Sequence, residues 1–445
     1  MGKIIKSIGV QINDKCNLKC EHCVAYESEV IRQELELKDL KKIIKKLKFY
    51  GLQQVAFILK EPMVYKDIID AIEFCNNRDM ETEIITNGTL LNEEKIFGLI
   101  EAGLTSLNIS LEGISSESND LIRGIGTFNT VIDNLELFNT IGILKERFIP
   151  IILKMTLNSY SVNEVEKMPL FFQKLNVNEV RINTLFLQGK ARDNPQLMLS
   201  KEKAEKGVEK LLIAYKSIDN PKYTLVISSM RPLAYIYYNL KYSINLMVSY
   251  TSCMSDNEAF SLSDEGIIYS CADNKKYIIK ENNEYQKIPN CDLLDNSDIE
   301  SFLSENKLFH LDSKNSYNMK EICEECGFND KCQPCGLKSY EEVNTFIKDC
   351  AYYREKIEKL IRKKTRFGKG IRITLKESAY IVEDNMRYKL VNSYQNGRSI
   401  ITYIKENDLK GVVDRLCESM TVTIEGEANS CELVRLLLTD CFLLS

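Results

Sequence analysis

The sequence predicts an α/β fold whose first half is a partial (β/α)6 TIM barrel. Over residues 5–190, apolar strand segments alternate with amphipathic helical segments. Such alternation indicates a parallel sheet with helices on the outside. Six strand–helix units are too few for a closed eight-stranded barrel. In folds of this kind the functional site lies at the carboxyl ends of the strands, so we expect the chemistry in the loops that follow them.

The strands of this half are predicted from short apolar runs. Ile8, Val10 and Ile12 alternate with polar residues, which is typical of a strand, and this strand ends at Asn13. Five further runs have the length and composition of buried strands. They are residues 55–59, 83–86, 107–111, 151–157 and 180–183.

The intervening helices are predicted from helical spacing and from residues that begin or end a helix. Leu40, Ile43, Ile44 and Leu47 recur at helical spacing, and Gly51 ends that helix. A second helix is predicted over residues 68–75. A third helix begins after Asn92 as its N-cap and ends before Gly103.

Three cysteines follow the first strand directly. Cys16, Cys20 and Cys23 have the spacing C-x3-C-x2-C. Three thiolates on one loop can hold three irons of a [4Fe–4S] cluster and leave the fourth iron open to another ligand. The alternative is a zinc loop, which needs a fourth ligand at tetrahedral geometry. His22 is close, but it is the direct neighbour of Cys23, which makes the joint use of both difficult.

The spacing and the neighbours of these cysteines resemble those of radical S-adenosylmethionine (SAM) enzymes. Three later segments also resemble that family: Lys60-Glu61-Pro62, residues 85–91 and residues 109–113. The resemblance implies that SAM chelates the open iron and that one electron cleaves it. The resulting 5′-deoxyadenosyl radical then abstracts a hydrogen atom from the substrate. It also implies four side chains that contact SAM: His22, Glu61, Asn87 and Ser110.

Two of these positions leave alternatives open. The family usually has two glycines before the Glu-Pro pair, where this chain has Leu59 and Lys60. Lys60 is therefore either a tolerated surface residue or a new contact to the SAM carboxylate. Ser110 either faces SAM or is an ordinary strand hydroxyl with its hydrogen bond satisfied.

A second set of cysteines resembles the SPASM domain that follows many radical SAM cores. Its members are Cys253, Cys271, Cys323, Cys326, Cys332, Cys335 and Cys350. The resemblance implies one auxiliary [4Fe–4S] cluster on Cys323, Cys326, Cys332 and Cys350, and a second on Cys253, Cys271 and Cys335. With the SAM cluster, this makes three [4Fe–4S] clusters. The alternative is a zinc ribbon or a rubredoxin-like iron site, because two close cysteine pairs suit tetrahedral S4 coordination.

The second auxiliary set lacks a fourth matched thiolate. Cys291 is one candidate for that position, through a loop. Otherwise the cluster keeps an open iron, which would bind a substrate thiolate and would favour thioether formation.

The last eighty residues predict a small α+β domain. Strands are predicted over 371–375, 380–383 and 388–391, and helices over 399–404, 411–420 and 431–438. This winged-helix-like order resembles the PqqD-like peptide-recognition domain, which holds a leader peptide as an added strand. DNA binding is the rival interpretation, but residues 367–445 contain ten Lys and Arg against eleven Asp and Glu, a net charge of −1. A third interpretation of residues 367–445 is an oligomerisation or capping domain.

These observations predict four segments. They are a radical SAM core (1–198), a helical bridge (199–250), a SPASM domain (251–366) and a winged-helix, PqqD-like domain (367–445). The leading hypothesis is a maturase that installs a thioether or a carbon–carbon crosslink in a ribosomally made precursor peptide. The alternatives are oxidation of a Cys or Ser side chain, as in sulfatase maturation, and a non-enzymatic iron–sulfur redox regulator that binds DNA.

The predicted partners follow from this hypothesis and from composition. They are a precursor peptide, whose leader binds residues 367–445, and an electron donor such as flavodoxin or ferredoxin. A net charge of −5 gives no basic excess for nucleic acid. No run of about eighteen apolar residues occurs that would cross a membrane. With fifteen cysteines and no signal peptide in this sequence, we expect a cytoplasmic protein with metal clusters rather than disulfides.

Overall fold

The structure is a computed structural model. It describes a long amino-terminal part of the chain and separate segments of the remainder. The described residues are 5–25, 34–185, 187, 189–228, 230, 232–244, 246, 259–270, 277–279, 285–287, 289–295, 298–305, 350–361, 371–375, 379–384, 387–393, 399–405, 421–424 and 442–444.

A ten-stranded sheet organises the first part of the molecule. Its order is β12-β9-β8-β1-β2-β3-β4-β5-β6-β7, and every pairing from β8 to β7 is parallel. Its strands are β1 (Ser7–Val10), β2 (Gln54–Phe57), β3 (Glu81–Thr86), β4 (Ser106–Ser110), β5 (Ile151–Leu157), β6 (Glu179–Thr184), β7 (Thr224–Ile227), β8 (Ala259–Leu262), β9 (Ile267–Tyr269) and β12 (Asn290–Asp292). The predicted α/β fold with a parallel sheet is therefore confirmed.

Eight α-helices run from α1 to α8, and most of them connect successive strands of this sheet. They are α1 (Leu37–Phe49), α2 (Ile68–Asn76), α3 (Glu93–Glu101), α4 (Ser116–Arg123), α5 (Thr127–Leu144), α6 (Met168–Lys174), α7 (Lys201–Lys216) and α8 (Pro232–Tyr242). Two later helices, α9 and α10, span residues 299–305 and 350–361. Short 3-10 helices occupy Pro62–Val64, Ser161–Glu164, Gly189–Asp193 and Pro195–Leu197.

The six strands and three helices predicted within residues 5–190 are present because their apolar positions face the core. Leu40, Ile43, Ile44 and Leu47 form the buried face of α1. The Asn92 side chain caps α3 by accepting from the backbone N–H of Lys95 at 2.9 Å. Burial alternates along β5, so one face of that strand packs against helices and the other carries half-buried side chains such as Lys154 and Thr156.

The sheet is larger than the sequence predicts. The segment 199–250, interpreted as helical, contains strand β7, which pairs with β6. On the other side, β8 pairs in parallel with β1, and β9 and β12 extend the sheet in antiparallel fashion. The prediction missed β7 because a four-residue apolar run between long helices has too little periodicity to identify it.

The carboxyl-terminal segments form two small sheets. One contains β13 (Ile371–Leu375) between β17 (Thr421–Ile424) and β18 (Phe442–Leu444). The other is an antiparallel meander of β14 (Ala379–Asp384), β15 (Arg387–Ser393) and β16 (Ser399–Lys405). A further two-stranded pair, β10 (Tyr277–Ile279) with β11 (Tyr285–Lys287), precedes them.

The prediction of a helix over 399–404 is wrong, because these residues form β16. Ile400, Ile401 and Ile404 are β-branched and favour strand, and Asn396-Gly397 before them is a common hairpin sequence. The expected order of three strands and then three helices therefore does not describe this segment. The other two predicted helices, 411–420 and 431–438, lie outside the described residues.

The chain divides into two compact units. One consists of Met1–Ser228 and Cys253–Ser316, and the other of Ser229–Ser252 and Tyr317–Ser445. None of the helices described here combines the length and the apolar character that crossing a membrane requires.

Candidate functional site

The three amino-terminal cysteines lie on the loop that follows β1, at the carboxyl edge of the sheet. Cys20 is buried, Cys23 is half-buried and Cys16 is exposed, and all three thiols are free. The backbone N–H of Cys23 donates to the carbonyl of Cys20 at 3.2 Å, which closes a tight turn between them. Burial raises the pKa of the Cys16 thiol and raises that of Cys20 to about 11. Burial therefore favours the protonated form of Cys16 and Cys20, and metal binding to these two residues releases protons.

The donor chemistry of this loop suits an iron–sulfur cluster. Three free thiols lie on one short loop; Cys23 acts electrostatically on Cys16 and on Cys20, and Cys16 acts on Cys20. Among the described residues, no three His, Cys, Asp or Glu side chains already surround a common point as ligands of a metal ion.

Backbone and amide hydrogen bonds tie the start of the cysteine loop to the turn after β2. The side-chain amide of Asn13 donates to the carbonyl of Glu61 at 3.2 Å. The backbone N–H of Glu61 donates to the carbonyl of Lys15 at 3.1 Å. Asn13 also accepts from the backbone N–H of Lys15 at 2.7 Å within the loop, so the residue that binds the turn is itself held in place.

The β2 turn itself has an unusual backbone. Leu59 and Lys60 have φ values of 63° and 45°, in the left-handed region that favours glycine. For residues other than glycine this conformation costs about 1–2 kcal/mol each. The Lys60 ammonium forms an ion pair with Asp14 at 2.8 Å. Of the two alternatives left open for Lys60, the surface residue is therefore wrong, since its amine faces the cysteine loop.

The Glu61 side chain, a predicted SAM contact, is buried in the structure and not exposed at the site. Its carboxylate is fully buried and accepts from the Thr86 hydroxyl at 2.7 Å and from the backbone N–H groups of Asn87 and Met63 at 2.8 and 3.0 Å. Burial raises the pKa of Glu61, and these donors act against the rise. The carboxylate therefore joins the β2 turn to the end of β3.

Asn87 links the end of β3 to the middle of the cysteine loop. Its amide donates to the side-chain oxygen of Asn17 at 2.9 Å, and Asn17 in turn donates to the Thr89 hydroxyl at 2.8 Å. Asn87 also accepts from the backbone N–H of Thr89 at 2.9 Å. Of the four predicted SAM contacts, Glu61 and Asn87 are thus brought together beside the cysteines.

His22 belongs to a buried charge network with Glu112 and Arg123. His22 Nε2 lies 3.1 Å from Glu112 Oε1, and Arg123 Nη2 donates to the same oxygen at 2.6 Å. The other carboxylate oxygen accepts from the backbone N–H of Thr156 at 2.7 Å. Arg123 Nη1 also lies 4.0 Å from the sulfur of Cys20. The network therefore connects β5 and the loop after β4 to the cysteine loop.

The electrostatics of this network favour an ionised carboxylate. Burial alone would raise the pKa of Glu112, but His22 and Arg123 more than offset this and lower it to about 2. Two buried ring and guanidinium nitrogens, His22 Nδ1 and Arg123 Nε, have no hydrogen-bond partner among the described residues. Sequence reasoning gave Glu112 and Arg123 no role; Glu112 lies in the loop after β4, and Arg123 is the last residue of α4.

Ser110 is the last residue of β4 and lies in register with Lys154 on β5. Lys154 in turn lies in register with Arg181 on β6, and its ammonium is 3.8 Å from Glu83 on β3. Burial, aided by Arg181, lowers the pKa of Lys154 to about 8, against the opposing effect of Glu83 and Glu179. This face of the sheet therefore contains a cluster of charged side chains next to Ser110.

The 3-10 helix Gly189–Asp193 covers the other end of the cysteine loop. The backbone N–H of Lys190 donates to the carbonyl of Cys23 at 2.9 Å, and its ammonium pairs with Glu21 at 2.7 Å. Gly189 has φ +55°, and a Cβ at this position would lie 2.3 Å from the carbonyl oxygen of Cys23. The loop is thus packed tightly on this side.

Only two cysteines relevant to the auxiliary sites lie in the described part of the chain. Cys350 is a buried residue of α10. Cys291 is buried on β12, where it is paired with Ile268 of β9, and so it lies on a strand rather than on a loop. The remaining predicted ligands lie outside the described residues: Cys253, Cys271, Cys323, Cys326, Cys332 and Cys335.

Comparison with known proteins identifies the domain that carries this site. Residues 10–160 match the radical SAM superfamily. An Fe-coproporphyrin III synthase of Methanosarcina barkeri (strain Fusaro / DSM 804) is 28% identical over 200 residues, which are 44% of this chain and 48% of the relative. A probable GTP 3′,8-cyclase of Saccharolobus islandicus (strain M.14.25 / Kamchatka #1) is 26% identical over 182 residues, 41% of this chain and 57% of the relative. The chain thus spans about half the length of these curated relatives.

Solved structures share the fold over more of the chain. Streptococcus suis SuiB bound to S-adenosylmethionine matches with a TM-score of 0.56 at 16% identity, over 77% of this chain and 75% of SuiB. SuiB has also been solved bound to its precursor peptide SuiA. The enzyme anSMEcpe, bound to AdoMet and the Cp18Cys peptide, matches with a TM-score of 0.55 at 18% identity, over 81% of this chain and 99% of anSMEcpe.

Proposed function

We propose that this chain, whose residues 10–160 are a radical SAM superfamily domain, is a radical SAM enzyme that modifies a ribosomally made precursor peptide. SAM bound at a [4Fe–4S] cluster would supply a radical that takes one hydrogen atom from a peptide carbon; closing the crosslink would release a proton and one further electron, which an oxidised auxiliary [4Fe–4S] cluster would accept. The expected product contains a thioether or a carbon–carbon crosslink. Cys16, Cys20 and Cys23 would hold the cluster.

The observation that carries this proposal is the convergence of the β2 turn, the loop after β3 and the end of α4 on the cysteine loop. The β2 turn binds it through Glu61 and Asn13, the β3 loop through Asn87, and Arg123 approaches Cys20. Because the loops of parallel strands end at one edge of the sheet, a cofactor bound there is surrounded by these groups. His22 and Ser110 are the remaining candidates for cofactor contact on the same edge.

A peptide substrate is supported by the fold neighbours and by the carboxyl-terminal strands. SuiB is solved with the precursor peptide SuiA, and anSMEcpe with the Cp18Cys peptide. In the meander β14-β15-β16, the outer strands β14 and β16 each pair with one neighbour among the described strands. An edge strand of this kind accepts an extended peptide as an added strand. We propose that residues 367–445 hold the leader in this way.

Oxidation of a Cys or Ser side chain, as in sulfatase maturation, is a second candidate. Its support is the match over 99% of the anSMEcpe structure, which is bound to AdoMet and to the Cp18Cys peptide. This reaction needs no leader peptide. The two candidate reactions therefore differ in whether turnover requires the leader segment of the peptide.

Two measurements test the proposal in sequence. Anaerobically reconstituted protein, given SAM and dithionite, is expected to form 5′-deoxyadenosine, and a Cys16/Cys20/Cys23 triple-alanine variant to form none. A candidate precursor peptide, selected from short open reading frames near this chain's gene, is then supplied with and without its leader. A crosslink, read as a loss of 2 Da that depends on the leader, supports the first candidate. Equal turnover of both peptides supports the second, and wild-type protein that forms no 5′-deoxyadenosine overturns both.

A further inference from the structure

We propose that the Lys60–Asp14 ion pair is a latch that holds the cysteine loop against the β2 turn. Lys60 is then a positioning residue for the thiols of Cys16, Cys20 and Cys23. The inference rests on the proposed function for the role of those thiols. The proposal concerns how firmly the cysteine loop is held against the β2 turn, and this can be measured in metal-free protein.

The location of the pair supports this role. Asp14 lies two residues before Cys16, and Lys60 directly precedes Glu61, whose backbone N–H already binds the loop at Lys15. The ammonium and carboxylate are 2.8 Å apart, and their side chains are 13% and 11% exposed. A pair this well shielded from water interacts more strongly than a surface pair, and removing one partner leaves an unpaired charge in a poorly solvated place.

The same loop contains a natural comparison. Lys15 forms an ion pair with Glu34 at 3.0 Å, but these side chains are 52% and 29% exposed. Exposed pairs of this kind contribute little to stability. The two pairs have similar lengths and lie next to each other in the sequence, so they differ chiefly in solvation.

The backbone of the turn indicates that the side chain at position 60 matters. Leu59 and Lys60 both have left-handed φ values, which strain any residue with a Cβ and persist only where the surroundings impose them. Glycine would adopt this conformation without strain. However, glycine at position 60 would leave the Asp14 carboxylate without its cation. The turn therefore keeps its backbone strain and, with it, the Lys60 ammonium that pairs with Asp14 on the cysteine loop.

The rate at which the Cys20 thiol is alkylated reports how often the cysteine loop opens. Its thiol is buried and that of Cys16 is exposed, so Cys20 reacts with an alkylating reagent only when the loop moves. Cys75 is buried in α2, away from the latch, and reports loosening of the fold as a whole. The ratio of alkylation at Cys20 to that at Cys75 therefore isolates the loop.

The experiment alkylates full-length, metal-free protein with iodoacetamide and follows Cys20 and Cys75 by peptide mass spectrometry. Lys60→Met and Asp14→Asn are each expected to speed Cys20 alkylation about tenfold, with Cys75 unchanged. The exchange variant, Asp14→Lys with Lys60→Asp, restores the pair and is expected to return the rate to within about threefold of wild type. Lys15→Met is the matched control and is expected to stay within about twofold of wild type.

Several outcomes would overturn the latch. They are an unchanged Cys20 rate in Lys60→Met, an equal increase in Lys15→Met, an exchange variant as reactive as the single variants, and a parallel rise at Cys75. If the amine instead serves as a SAM contact, Lys60→Met weakens SAM binding in calorimetry with no change in Cys20 alkylation. Failure of the proposed function looks different, because wild-type protein would then bind no iron and cleave no SAM whatever the alkylation result.

Discussion

Glu112 and Arg123 form a buried ion pair, with Oε1 and Nη2 2.6 Å apart and side chains only 2% and 8% exposed. The pair connects the loop after β4 to the end of α4, and Arg123 extends it to the sulfur of Cys20. A buried pair is costly to break from one side, because the remaining charge has neither water nor a partner. The stability of this region and the environment of the cysteine loop are therefore coupled.

Replacing Glu112 is expected to destabilise the fold. Glu112→Gln keeps the shape of the side chain but leaves the Arg123 guanidinium without a counter-charge, so we expect a loss of about 3 kcal/mol in the free energy of unfolding. Urea denaturation at pH 7 measures this loss. Glu117→Gln is the matched control on the exposed face of α4, and we expect a change within about 0.5 kcal/mol. Equal effects of the two substitutions would contradict the prediction.

The Glu112 carboxylate also makes the free energy of unfolding depend on pH in the acidic range. The pKa of Glu112 is lowered from 4.5 to about 2 in the folded protein. Its contribution is therefore fully present above pH 4.5 and is lost as the pH falls through 2. We expect the difference in unfolding free energy between wild type and Glu112→Gln to shrink by about 3 kcal/mol between pH 5 and pH 2. A difference that does not change with pH would show that Glu112 is not held ionised.

Lys154 is expected to give a pH dependence of the same sign in a higher interval, because burial destabilises its charged form. Burial and Arg181 lower its pKa from 10.5 to about 8 in the folded protein. The folded state then binds fewer protons than the unfolded state between those values, so the stability of wild type rises with pH in that interval. We expect the difference between wild type and Lys154→Met to increase by about 2–3 kcal/mol from pH 8 to pH 10.5. The exposed Lys203 on α7, changed to Met, provides the control and is expected to show no such rise; a flat difference for Lys154 would refute the burial effect.

Gly189 is expected to be intolerant of any side chain. Gly189→Ala places a methyl group 2.3 Å from the Cys23 carbonyl at a φ of +55°, so we expect a loss of at least about 2 kcal/mol and poorer iron incorporation. Gly126→Ala is the control for backbone strain alone, because φ there is +84° but no atom lies within 4 Å of the added methyl. Thermal unfolding and iron content of reconstituted protein measure both variants. If Gly126→Ala loses as much stability and iron as Gly189→Ala, close packing on the cysteine loop is not the cause.

Local patterns were sufficient for the core strands and helices. The alternation at Ile8 and Val10, the helical spacing in α1 and the cap at Asn92 are all encoded within a few neighbouring residues. Strands β7 and β8 were not predicted, because each is short and is stabilised by a partner far away in the sequence. The helix predicted over 399–404 is wrong because the β-branched residues of Ser399–Lys405 favour the strand that forms there over the apparent helical spacing.

Part of the candidate site could likewise be predicted from the sequence, and part of it could not. The cysteine spacing and the position of the loop after β1 followed from the sequence alone. The pairing of Glu112 with Arg123 and of Lys60 with Asp14 did not, because ion pairs between loops depend on distances that only the folded chain defines. The role of Glu61 as a buried joint between two turns was hidden for the same reason.

The central claim is that Cys16, Cys20 and Cys23 hold a cluster with one iron open to SAM. Electron–nuclear double resonance on the reduced, fully reconstituted protein with SAM labelled by ¹⁵N at the amino group tests it most directly. We expect a ¹⁵N hyperfine coupling in wild type and none in the triple-alanine variant. The absence of any ¹⁵N coupling in wild-type protein would contradict the claim.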